Sequence, residues 1–108
     1  MTTRKSFEKQ ILPWGNVQGI RLPKAACKKL FFGPGEELMI DVAPSGVYLR
    51  KPSKMMWQKA VLSVQGRVLQ WGNSLGVQLT GAARMIPQFN KGDTILLEVE
   101  DEGIFIMK

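Results

Sequence analysis

The 108-residue sequence contains no histidine, a single cysteine (Cys27) and a single tyrosine (Tyr48). Each shortage excludes a class of chemistry. Without histidine there is no imidazole general base and no histidine-ligated metal centre. One cysteine builds neither an internal disulfide framework nor a thiolate cluster, and so few thiols fit a cytoplasmic setting. No apolar run approaches the roughly 18 residues of a membrane span, and the polar stretch Met1 to Gln10 is unlike a signal peptide. Neither a Walker-type phosphate loop nor a nucleophile elbow occurs. The acidic run Glu100, Asp101, Glu102 reads as a solvated hairpin tip. The expectation is a non-enzyme with no cofactor and no metal.

What the sequence does have is repetition. Trp14 to Gly19 reads WGNVQG, and Trp71 to Gly76 reads WGNSLG. Sliding the chain by 57 residues, the separation of these tryptophans, places Leu22 on Leu79, Ala26 on Ala83, Phe32 on Phe89, Val42 on Val99 and Lys51 on Lys108. No gap is needed from Trp14 to Lys51. Positions that differ often keep their character, as with Ile20 and Val77 or Tyr48 and Phe105. The chain reads as two copies of one unit, residues 1–51 and 61–108, joined by a linker at 52–60 (PSKMMWQKA). Extended at roughly 3.3 Å per residue, that linker spans about 30 Å.

The net charge is +6, which favours an anionic partner. Residues 1–54 hold ten basic and four acidic residues, a net of +6, and residues 55–108 hold five of each, a net of zero. By sequence, the first copy carries the whole excess.

The local patterns give a mainly β fold with short helices. An entering strand ends at each tryptophan, and the following Gly-Asn is a two-residue hairpin signal in which glycine takes the positive φ. In the next strand Ile20 and Leu22 share one face and Arg21 takes the other; Val77, Leu79 and Gln78 repeat this arrangement. Pro23 and Thr80 are the expected helix starters for KAACKKLF and GAARM, with Pro87 ending the second helix. Leu38, Ile40 and Val42 alternate with Glu37, Met39 and Asp41 in a half-buried strand that opens a hairpin. Cys27, whose counterpart is Arg84, reads as a helix residue outside the deep core, and Trp57 with Met55 and Met56 as a cover over one end of the molecule. A unit of about 40 residues seldom buries enough surface to fold alone, and its strand edges invite pairing. Two units that interleave their strands solve both problems.

The run WGNSLGVQL, a short helix and then KGDTILLEVEDEGIFI resembles the AbrB/MazE/SpoVT family of DNA-binding domains, and WGNVQGIRLPKA with PGEELMIDVAPSGVYLRK resembles it again. The resemblance implies a swapped-hairpin β-barrel of the double-psi kind. The family usually assembles it from two chains; here it is expected as an intrachain pseudo-dimer, either monomeric or in a higher homo-oligomer. It also implies a sequence-specific transcriptional regulator, a repressor that grips duplex DNA around the WGN turns and through an arginine in the next strand. Carried over, that arginine is Arg21, with Gln78 in its place in the second copy. The turn residues are Trp14 and Asn16, then Trp71, Asn73 and Ser74, with Val17 standing where the serine would be. The basic residue common before the tryptophan is replaced by Pro13 and Gln70; Lys9 and Arg67 are its nearest substitutes, with Arg4 and Lys5 further out. Lys24, with Lys28 and Lys29, offers a helix face for backbone phosphates.

Two alternatives stand beside this reading. One is an antitoxin that binds its operator and a toxin protein. Family antitoxins carry a tail beyond the barrel, whereas IFIMK is the last stretch here, so toxin contacts would fall on the linker near Met55 to Trp57. The other is a protein-interaction module with degenerate DNA binding. Structural roles compete with the DNA reading too: tryptophans pack hairpins, and asparagine suits tight turns. Because Arg21 and Lys24 face Gln78 and Gly81 across the repeat, an imperfectly palindromic operator is expected, read mainly by the Arg21 side.

Overall fold

A computed structural model describes residues 5–108; residues 1–4, Arg4 among them, lie outside the described part. The first unit contains β1 (Lys5–Gln10), β2 (Leu12–Trp14), β3 (Val17–Leu22), α1 (Lys24–Leu30), β4 (Glu37–Ala43) and β5 (Gly46–Arg50). The second repeats that order with β6 (Leu62–Arg67), β7 (Leu69–Trp71), β8 (Ser74–Gln78), α2 (Ala82–Met85), β9 (Thr94–Val99) and β10 (Gly103–Met107). Among the described residues, no helix is long and apolar enough to cross a membrane.

The strands form two antiparallel sheets, one of six in the order β1-β9-β10-β5-β4-β6 and one of four in the order β2-β3-β8-β7. Both sheets mix the units. β1 pairs with β9 and β6 with β4, so each unit lends its first strand to the hairpin of the other. β5 meets β10 in the middle of the large sheet, and β3 meets β8 in the middle of the small one. The expectation of one closed barrel is corrected here, because the sheets remain two and open. Each entering strand breaks in two at a buried residue, Ile11 or Val68. At Ile11 the backbone N–H donates to the Asp93 carbonyl at 3.0 Å and the carbonyl accepts from Gly92; at Val68 the partners are Glu36 and Gly35. These bonds to loops bend the chain from the edge of the large sheet to the edge of the small one, at two corners related by the repeat.

The apolar positions picked out by alternation and by the repeat converge on one core. Ile20, Val77, Leu38, Ile95, Val42, Val99, Phe32 and Phe89 are all buried in it. A left-handed residue precedes the buried phenylalanine in each unit: Phe31 at φ 58°, which caps α1, and Gln88 at φ 60°, which lies beyond the right-handed Ile86 cap of α2. The Phe32 and Phe89 amides donate to the Cys27 and Arg84 carbonyls, each at 2.9 Å. Helix starts follow the sequence only in part: Pro23 precedes α1, but Gly81 at φ 55°, not Thr80, precedes α2. Cys27 is buried in the core cluster, unlike its exposed counterpart Arg84, which corrects the expectation of a position outside it; burial raises its thiol pKa.

Asp41 departs from the simple alternation. It is fully buried although its neighbours in the pattern, Glu37 and Met39, reach solvent. Arg50, also buried, meets it with two bonds, Nε to Oδ2 at 2.7 Å and Nη2 to Oδ1 at 3.1 Å. The linker covers this pair. The Trp57 amide and the Ser63 hydroxyl donate to the same carboxylate at 2.9 and 2.6 Å, and Arg50 Nη1 donates to the Lys54 carbonyl at 2.8 Å. Trp57 then packs edge-on against Phe105 at 5.1 Å between ring centroids. The second unit has Glu98 and Met107 at the corresponding positions.

Candidate nucleic-acid interface

The outer face of the four-stranded sheet gathers the repeated motif. In each hairpin the tryptophan pairs with the residue after asparagine, Trp14 with Val17 and Trp71 with Ser74, leaving a two-residue loop. Gly15 and Gly72 sit at φ 62° and 61°, while Asn16 and Asn73 do not adopt positive φ. Positive φ at the first loop residue alone is the pattern of a type II′ turn, which wants glycine there. A left-handed backbone therefore does not explain the asparagines, and both project into solvent at the tips.

The tryptophans fold back over the sheet and meet each other. Their rings stack at 4.0 Å between centroids with 13° between planes. The second glycine of each motif makes this possible. A Cβ at Gly19 would stand 2.6 Å from the Trp14 ring and 2.8 Å from the Val77 carbonyl; at Gly76 it would stand 2.8 Å from both the Trp71 ring and the Ile20 carbonyl. Since ring and backbone both block it, Gly76→Ala is expected to cost about 1 kcal/mol or more, within the usual range for overpacking. Thermal unfolding with near-ultraviolet circular dichroism reads the loss and the disturbed indole pair together; an unchanged spectrum and midpoint would contradict the packing described.

Arg21 lies over this stack. Its guanidinium carbon is 4.6 Å from the Trp71 ring centroid, and Nη1 donates to the Trp71 carbonyl at 3.2 Å. The register explains the placement: Arg21 faces Gly76 across the β3–β8 pair, beside the turn of the opposite unit. Gln78 occupies the equivalent place facing Gly19, beside the Trp14 turn. Lys9 shares with Arg21 an open groove of about 450 Å³, which Leu12 and Thr94 also line. Arg67 and Gln78 share the equivalent, smaller groove of about 120 Å³ on the other side. There Arg67 is engaged, donating to the Gly35 carbonyl at 2.7 Å with Glu37 at 3.9 Å. Ser74 is half-buried in the second turn, and its carbonyl accepts a hydrogen bond from Gln70 at 3.3 Å. Lys24 opens α1 in solvent, just after Leu22 pairs with Leu75.

Charge divided by sequence halves is thus not charge divided in space. Arg21 belongs to the first unit and sits at the second unit's turn. The Asn16 turn in turn lies beside Arg84 and Lys91 of the second unit, in a groove of about 480 Å³. Nothing local in the sequence marks Arg84 and Lys91; only the strand exchange brings them to the first turn. The second unit has no net charge, yet two of its cations stand beside the first unit's turn.

Compared with protein-family models, curated proteins and solved structures, the chain matches none.

Proposed function

We infer that the protein is a sequence-specific, duplex-DNA-binding transcriptional regulator, built as two AbrB/MazE-like units fused into an intrachain pseudo-dimer of the swapped-hairpin type. The observation that carries the reading is the paired presentation of the two WGN turns on one sheet face, with Arg21 held over the stacked indoles between them. A guanidinium held by a ring and a carbonyl loses little further freedom when it grips a base edge or a phosphate. Exposed Asn16 and Asn73 at both tips add side-chain amides of the kind that read adenine edges. The exchanged strands support the fused pseudo-dimer, since each unit's first strand completes the other's hairpin.

Such an interface neutralises phosphates and releases counterions, with a slope of about −0.9 in log affinity against log salt for each contact. Several contacts should give a loss of at least about tenfold between low and physiological salt. Fluorescence anisotropy with labelled duplexes, the protein's own promoter fragment among them, measures this directly. Affinity that ignores salt, or fails on every duplex, would refute the proposal.

A further inference from the structure

The groove beside the Asn16 turn is a site that the repeat does not account for. Arg84 and Lys91 line it together with Asn16, Thr80 and the buried Gln18, and no carboxylate is among its described lining residues. By the repeat, the counterparts of Arg84 and Lys91 are Cys27 and Pro34, so the other flank lacks both cations. That other flank has Arg21 instead, and this one has neutral Gln78.

The walls of the groove are fixed by bonds between the units. Gln18 Nε2 donates to the Phe89 carbonyl at 2.7 Å, while the Gln18 carbonyl accepts from the Leu79 amide at 2.9 Å. Two residues beyond Lys91, Asp93 accepts from the Ile11 amide, and between them Gly92 donates to the Ile11 carbonyl at 2.8 Å. Lys91 is therefore carried on a short segment stapled to the first unit at both ends. Arg84 reaches the same segment, with Nη2 3.4 Å from Asn90 Oδ1. Two cations on a rigid frame beside an exposed turn amide suit one compact, doubly coordinated anion. A phosphodiester oxygen pair fits that description, the arginine fork gripping two oxygens while the lysine adds a point charge.

We propose that this groove seats a backbone phosphate of duplex DNA between Arg84 and Lys91, anchoring the flank where Gln78 stands in place of an arginine. The proposal rests on the DNA-binding reading given above. The two flanks then differ in what their cations do: Arg21 reads on one, and Arg84 with Lys91 holds the backbone on the other.

The test uses the full chain and a labelled duplex of mixed sequence, titrated over a salt series by fluorescence anisotropy. Arg84→Gln and Lys91→Gln, singly and together, are compared with the wild type and with Lys59→Gln, which removes an exposed linker charge of the same sign. Both groove side chains are exposed, and unchanged thermal unfolding verifies the fold. Each groove variant should flatten the salt slope by about 0.9, and the double variant by about twice that, whereas Lys59→Gln should leave it unchanged. A double variant that keeps the wild-type slope, or a Lys59→Gln change of equal size, overturns the groove proposal while leaving DNA binding intact. A wild type with no affinity for any duplex overturns the DNA-binding reading itself, and the groove proposal with it.

Discussion

Arg50→Ala is expected to lower the unfolding free energy by about 3–5 kcal/mol, the range for breaking a buried ion pair by removing one partner. The cost arises less from the lost attraction than from what remains. Asp41 is fully buried, and without Arg50 its charge keeps only the Ser63 hydroxyl and the Trp57 amide. The linker loses the Arg50 bond to the Lys54 carbonyl at the same time. Chemical denaturation measures the effect, and a loss below about 1 kcal/mol would show that the pair is solvated or dispensable. The paired replacement Asp41→Leu with Arg50→Met, methionine being the residue at the corresponding position of the second unit, should recover part of the loss by removing both charges together. Acidity probes the same site. Burial pushes the Asp41 carboxyl up, but hydrogen bonds from Arg50, Ser63 and the Trp57 amide outweigh it and hold the group below its ordinary value. A carboxyl lowered in the folded state contributes stability above its unfolded pKa, near 3.9, and that contribution fades as pH falls through the folded value. Stability should therefore drop on acidification below about pH 4, and less steeply in Asp41→Asn.

Arg21→Ala is expected to weaken binding to a cognate duplex by about 1–3 kcal/mol, or roughly 5- to 150-fold, and to relax discrimination at the base pair it contacts. Gln78→Ala, at the equivalent place, should cost clearly less, because glutamine offers only neutral hydrogen bonds. Arg21→Lys separates charge from shape: it keeps the cation but loses the planar group that lies on Trp71, so its loss should fall between the other two. Competition binding at one fixed salt concentration decides the matter, with unfolding curves confirming that the indole stack survives. Equal losses for Arg21→Ala and Gln78→Ala would refute a distinct reading role for Arg21. With Arg84 and Lys91 beside the other turn, the asymmetry expected is one of kind more than of total strength.

Much of this was legible from residue order alone. The gapless repeat gave matching strand orders, the alternation of Ile20 and Leu22 with Arg21 placed the arginine on the outer face, and the Gly-Asn pairs located both hairpins. The features missed share a physical cause: they depend on residues far apart in the chain. Asp41 looks like an outward strand residue until the linker is laid across it. Arg84 and Lys91 look like scattered surface charges until strand exchange sets them beside Asn16. The bends at Ile11 and Val68 carry neither glycine nor proline, because hydrogen bonds to distant loops impose them. The second glycine of each motif carries no local sign of its role, which is to leave room for an indole.

The exchange of first strands also sets the order in which the chain can finish folding. On the ribosome, Lys5–Gln10 is made before any other described strand, yet its only ladder partner in the large sheet is Thr94–Val99. Leu62–Arg67, by contrast, finds Glu37–Ala43 already made when it emerges. One corner can thus close during synthesis, while the other waits for almost the entire chain, and such long-range pairing is slow. Until then β1 is an unpaired strand exposed to its neighbours. Two lysines, a glutamate and two further polar side chains among its six residues make that wait safer than an apolar strand would.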